Sequence, residues 1–221
     1  MLFRTLFIMF FIGGDIMFRG DDILKIYDQD LNNIGRATRE QVHTEGLLHQ
    51  VAHVWMFQST ETDAYLLLQQ RSVNRELYPG KYDLIQTTHC DPEETYEEAI
   101  VHSMDYYLGS KMSQQDIIHV GSTHQRIDNG NYHDNALVQV FAIFVSKALF
   151  IMPDTEEIIK VRYKDFCRFV HGEIDTINIY SLDDVFLKES TPDEWWIRRN
   201  EFFDVMEPYI NGRIKEYKAG A

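Results

Sequence analysis

Short apolar runs with polar residues between them recur through most of the chain, and a helical period takes over near its end. Residues 23–28 (ILKIYD), 49–58 (HQVAHVWMFQ), 64–71 (AYLLLQQR), 83–87, 117–127 and 135–145 read as strands. Thr38 opens a short helix over 38–45, with Glu40 or Gln41 near the position that closes a capping box. Tyr78-Pro79-Gly80-Lys81-Tyr82 is a turn signal, and DNGNYHD links two strands as a hairpin. Residues 94–108 form an amphipathic helix after a tight loop containing Pro92. Further on, 154–159 approaches a late strand over 161–169, and 181–187 reads as a short helix capped by Ser181. A longer helix is expected over 192–217, apolar at Trp196, Ile197, Phe202, Phe203, Val205, Met206 and Ile210.

Composition narrows the picture. The 221 residues suffice for one substantial domain, and 44% hydrophobic content suits a globular core. The net charge of −14 disfavours nucleic acid, whose affinity comes largely from Lys and Arg on phosphates. It leaves room for a small anion in a local basic pocket. Cys90 and Cys167 lie far apart and suggest no disulfide framework, which fits a reducing, cytoplasmic setting. The opening MLFRTLFIMFFIGGDIM is apolar but interrupted by Arg4 and Thr5, too short for a comfortable membrane span. Residues 1–16 therefore read as an extension preceding Met17, and 17–221 as one domain ending in a helix. No stable membrane partner is expected, and a homo-oligomer is left open.

The segment TTHCDPEETYEEAIVHSMDYYLG carries the chemistry question. Its spacing resembles the Nudix box, G-x5-E-x7-R-E-U-x-E-E-x-G-U, with Glu94 on the first glutamate and Gly109 on the closing glycine. His102 stands on the arginine, Ser103 on the next glutamate, and Tyr106 and Tyr107 on the paired glutamates; Thr88 replaces the opening glycine. Tyrosine is neutral at pH 7 and a poor ligand for a hard divalent cation. The scaffold is present, and the usual metal ligands are replaced.

The resemblance extends beyond the box. YDQDLNNIGRATREQVHTEGLLHQVAHVWMF, then LLLQQRS and ELYPGKYDL, is similar to the Nudix branch that includes isopentenyl-diphosphate isomerase and its hydrolase-like relatives. The resemblance implies an α/β Nudix fold, with a mixed sheet sandwiched between helices. It also implies a metal site of three histidines and two glutamates. His43, His49 and His89 match the histidines, and Asp134 stands at one glutamate. Ala136 replaces the other, and Thr87 stands where the isomerase has its reactive cysteine. Moving a double bond needs two proton-transfer groups flanking the substrate. Thr87 and Ala136 supply none, so isomerase activity is not expected.

Function then divides between two classes. One is a diphosphate hydrolase of this branch with a rebuilt metal site. The other is a non-catalytic Nudix domain binding a nucleotide, an isoprenoid diphosphate or a protein partner. A divalent metal (Mg²⁺, Mn²⁺ or Zn²⁺) is the one cofactor the resemblance implies, with His43, His49, His89 and Asp134 as its ligands; the same histidines also suit hydrogen-bonded, metal-free packing. Glu98, His102 and Asp105 fall at i, i+4 and i+7 on one helical face, which makes Glu98 and Asp105 the remaining catalytic candidates; such a triplet also suits a solvated face. Arg71 and Lys81 are the expected phosphate contacts, and Tyr106 and Tyr107 the residues that would stack on or cover a diphosphate ligand.

Overall fold

The computed structural model describes residues 22–59, 64–75, 77–108, 113–145 and 155–220. Residues 1–16 lie outside them. Strands β1 (Ile23–Tyr27) and β2 (Asn33–Thr38) form a separate antiparallel pair. The main sheet contains β3 (His49–Ser59), β4 (Ala64–Arg71), β5 (Tyr82–Leu84), β6 (Gln86–His89), β7 (Ile117–Asn129), β8 (Tyr132–Val145), β9 (Thr155–Arg162), β10 (Ile177–Tyr180) and β11 (Phe186–Ser190). Its order is β11-β10-β9-β4-β3-β8-β7, with β5 added to β4 and β6 to β3. The β3–β8 pair is parallel and the other pairs are antiparallel, so the sheet is mixed.

The central strand β3 is buried on both faces, and its period of two sorts the core. Ala52, Val54 and Met56 pack with Ile100 and Met104 of helix α2 (Tyr96–Leu108). Val51, Trp55 and Phe57 pack on the other face, against Phe166 and Phe169 of α3 (Tyr163–His171) and against Phe202, Met206 and Ile210. Those last residues belong to the C-terminal helix: α4 (Arg199–Glu201) runs through one π turn (Phe202–Met206) into α5 (Glu207–Gly220). Each fully buried Leu, Ile, Val or Phe contributes roughly 1.5–3 kcal/mol, so two such faces anchor the sheet between its helices. The architecture is the expected α/β sandwich. No helix among the described residues is long and apolar enough to cross a membrane.

Local signals set the first helix. Thr38 Oγ1 accepts from the Gln41 amide while the Gln41 side chain accepts from the Thr38 amide, closing the capping box of α1 (Arg39–Glu45). Gly46, at φ +65°, ends it in the left-handed conformation glycine tolerates best.

Three expectations fail in the last third. Residues 161–169 are not a strand: β9 ends at Arg162 and α3 begins at Tyr163. Tyr163, Phe166, Phe169 and Val170 recur at helical spacing and bury one face, with Gly172 as a left-handed cap. Residues 181–187 are not a helix, because Ser181 Oγ accepts from the Val185 amide inside the β10–β11 hairpin turn. The helix expected from 192 begins at Arg199. Its first residues form a 3-10 turn (Pro192–Glu194), and the Trp196 amide then donates to the Tyr82 carbonyl at 2.9 Å, which holds that stretch along β5. The hairpin DNGNYHD is tighter than expected, since both strands run into it up to Gly130 and Asn131.

Candidate metal and ligand site

Four elements converge on one group of polar atoms. His43 comes from α1, His49 opens β3, His89 ends β6 and Asp134 sits near the start of β8. Pairing explains the convergence. Val51 lies opposite His89 across β3–β6, and His49 lies beside Ala136 across β3–β8. Residues paired across strands share a face, so His49, His89 and Asp134 all point to the side away from α2.

Ligand atoms of the three histidines lie within 4.8 Å of one another. His43 Nδ1 donates to the Arg39 carbonyl at 2.8 Å, and His49 Nδ1 to the Leu47 carbonyl at 3.0 Å. A carbonyl only accepts, so both rings carry their proton on Nδ1 and turn an Nε2 lone pair inward. Asp134 Oδ1 stands 3.4 Å from His49 Nε2 and 3.9 Å from His43 Nε2. Among the described residues, buried His49 Nε2, His89 Nε2 and Asp134 Oδ1 have no hydrogen-bond partner. Acceptors facing one another without a proton between them are mutually repulsive, and a cation relieves that repulsion. Burial, then the His49 and Arg39 charges, pushes His43 down to about 4. Burial also pushes His49 below the ordinary imidazole value and His89 well below it. At neutral pH the three rings are lone-pair donors, the state a metal ligand needs. The residues fit a divalent cation.

The cluster forms one wall of a cavity of about 410 Å³. Arg39, Arg71, Arg75 and Arg198 also line it, giving a cationic lining inside an acidic protein. Asp134 Oδ2 accepts from Gln125 Nε2 at 2.7 Å, and Arg198 Nη1 donates to Gln125 Oε1 at 3.4 Å. Arg198 and Arg71 then clamp buried Asp83, at 3.0 and 2.9 Å. A continuous polar chain therefore ties the carboxylate beside the histidines to the guanidinium wall. Tyr78 and Trp196 stack at 3.8 Å between ring centroids, and both line the cavity.

The other expected site residues are placed differently. Arg71 lines the cavity, whereas Lys81 gives its ammonium to the Asp193 carbonyl and is not among the lining residues. Glu98 is exposed and closes a capping box with Thr95 at the start of α2. That bond holds its carboxyl below the ordinary value. His102 faces Glu94 at 3.4 Å, and Ser103 Oγ accepts from Gln86. The side chains of Asp105, Tyr106 and Tyr107 lie outside the described residues. Cys90, displaced from the cysteine position of the isomerase branch, does not line this cavity. Burial, then Glu94, Asp91 and Glu97, pushes its thiol up to about 12.

No family model matches the chain. Over 162 residues it is 22% identical to an uncharacterized Nudix hydrolase of Clostridium acetobutylicum, covering 71% of this chain and 78% of that protein. It is 24% identical to an Escherichia coli isopentenyl-diphosphate Delta-isomerase over 139 residues, 62% of this chain and 74% of the isomerase. By these relatives the chain is similar to the Nudix superfamily. A shorter Nudix stretch of 74 residues is 34% identical to Nudix hydrolase 3 of Arabidopsis thaliana, 34% of this chain and 9% of that protein. Among solved structures, DR0079 of Deinococcus radiodurans superposes with a TM-score of 0.49 at 14% identity, covering 68% of this chain and 89% of that one. A MutT/nudix family protein of Enterococcus faecalis gives 0.43 at 13% identity, covering 66% and 57%.

Sequence reasoning missed several groups of this cavity. Arg39 and Arg75 were given no role, and Arg198 lies inside a stretch read as helix. Asp83 closes the P-G-x-x-D element within ELYPGKYDL, part of the resemblance, but was given no role of its own. His53 had one available signal, its spacing of four from His49, which puts both on one face of a strand.

Proposed function

We propose that this Nudix domain binds a small diphosphate-bearing molecule in the arginine-lined cavity, against a divalent cation held by His43, His49, His89 and Asp134. The supporting observation is the convergence of inward lone pairs and partnerless buried atoms beside that cationic wall. Three imidazoles and a carboxylate suit Zn²⁺ or Mn²⁺ better than Mg²⁺. When bound, the cation offsets phosphate charge and polarises the oxygens it touches. Arg39, Arg71, Arg75 and Arg198 supply directional donors that match phosphate oxygens. The volume suits a small ligand, and the Tyr78–Trp196 stack offers an apolar surface for its organic part.

The same reading takes metal chemistry away from the box helix. Glu98 is occupied as a cap, and Ser103 is a neutral hydrogen-bond partner of Gln86. Tyr106 and Tyr107 stand where the family pattern has paired glutamates. Thr87 and buried Ala136 leave the isomerase positions without acid or base, so double-bond isomerisation is not proposed.

Calorimetry with methylenediphosphonate, a diphosphate that cannot hydrolyse, tests this in the presence and absence of Mn²⁺. Binding should require the metal and weaken at least tenfold in Arg75→Gln. Equal binding with and without metal would sink the reading.

A further inference from the structure

The cavity has a second polar centre that the metal site does not use. His53 lines it, two residues along from Val51 on the face of β3 that carries His49. Its Nδ1 lies 2.7 Å from Glu201 Oε2, and the indole N–H of Trp55 donates to Glu201 Oε1. Both carboxylate oxygens are therefore engaged. Glu201 is only 3% exposed and comes from α4, at the opposite end of the chain. Burial works to raise the pKa of its carboxyl, but the facing His53, its hydrogen bond, Arg198 and the Trp55 N–H hold it below the ordinary value. An ionised carboxylate only accepts, so His53 Nδ1 carries the proton and Nε2 is the ring nitrogen left for the cavity.

Packing alone does not call for this pair. Removing two ionisable groups from water costs several kcal/mol each, and well-packed apolar residues often serve as well. The arrangement does fix the tautomer and orientation of an imidazole beside a ligand cavity. Across β3–β6, His53 lies directly opposite Thr87, which also lines the cavity and has no titratable group. Among the described residues, Glu201 faces the ring from the C-terminal segment, Arg198 acts on that carboxylate, and His89 of β6 is influenced by His53.

We propose that His53 is the proton acceptor for a water molecule that attacks a diphosphate held in this cavity, with Glu201 as its positioning residue. This rests on the ligand reading above. The water oxygen forms a bond to phosphorus while its proton passes to His53 Nε2. The bridging P–O bond breaks, and its electron pair leaves with the departing phosphate. His53 later returns the proton to solvent or product. General-base catalysis of this kind is worth roughly 100- to 10,000-fold in rate.

The test uses the full chain with Mn²⁺. Turnover of inorganic pyrophosphate, isopentenyl diphosphate and a nucleoside-diphosphate sugar is followed by ³¹P NMR, beside calorimetry with methylenediphosphonate. Wild type should turn over at least one of the three. His53→Gln should lose roughly 100-fold or more in kcat, with methylenediphosphonate affinity changed less than threefold. Glu201→Gln should lower kcat with KM unchanged, and Glu201→Asp should recover part of it. Glu98→Gln, on the opposite side of the sheet, should leave the rate unchanged. Full kcat in folded His53→Gln overturns the proposal, as does wild-type binding without turnover of any of the three. Failure of wild type to bind methylenediphosphonate instead overturns the ligand reading and this one with it. Should the His53 variant not fold, ¹⁵N NMR of wild type decides: a lone pair on His53 Nε2 supports the proposal, and a proton there overturns it.

Discussion

Loading the histidine cluster with metal should stabilise the fold by an amount that the geometry bounds. Two of the rings have their Nδ1 protons fixed on backbone carbonyls, so no tautomer change precedes binding. His43, His49 and His89 are all depressed below the ordinary imidazole value, so at pH 7 no imidazole proton has to be displaced. His89 and Asp134 stand 40 and 85 residues beyond His49, and unfolding separates them from the His43–His49 pair, so metal binds the folded state selectively. At free metal near 100 times its dissociation constant, that selectivity is worth about 2.7 kcal/mol. In a domain of this size 1 kcal/mol moves the melting temperature by about 2–4 °C. Metal-stripped protein should therefore melt about 5–11 °C higher with saturating Zn²⁺ or Mn²⁺, and less with Mg²⁺, which prefers oxygen ligands. Scanning fluorimetry and calorimetry on wild type, His49→Gln and Asp134→Asn measure it. His49→Gln should abolish the shift, and Asp134→Asn should reduce it, because the amide keeps an oxygen but loses the charge. A shift of the same size in His49→Gln, or none in wild type with any of the three ions, would refute the reasoning.

Two further outcomes are expected. Turnover of standard Nudix substrates by wild type should be insensitive to Glu98→Gln, while changing Ser103, Tyr106 and Tyr107 together to Glu should introduce a new, Mg²⁺-dependent component; loss of wild-type activity in Glu98→Gln would show that the box helix still works. The buried Glu201 carboxyl has a folded pKa below its ordinary value of 4.5, so its stabilisation is fully present above about pH 4.5 and is lost as pH falls through the folded value. Chemical denaturation of metal-free protein at pH 3–6 should show that loss, and Glu201→Gln should flatten the acid limb; an unchanged limb would contradict an ionised Glu201.

Much of this molecule is written in short-range patterns that a reader of the sequence can follow. The capping box of Thr38 and Gln41, the alternation along residues 49–58 and the amphipathic run before Gly109 are each decided by neighbours a few positions away. Period and capping chemistry act locally, so these elements could be read without the fold. The three histidines and Asp134 were legible only through family resemblance, because 91 positions separate His43 from Asp134 and no local spacing links them. Tertiary contacts overrode local pattern where the reading failed. Residues 163–169 fall in helix α3 because their apolar residues meet the sheet face at Trp55 and Phe57, and the stretch at Trp196 is extended because its amide bonds to Tyr82. The His53–Glu201 pair, the Asp83 clamp and the arginine wall belong wholly to the fold. The C-terminal helix returns Glu201 to His53 and Arg198 to Asp83, and chemistry at hydrogen-bond distance leaves no mark in a sequence where those partners stand more than a hundred residues apart.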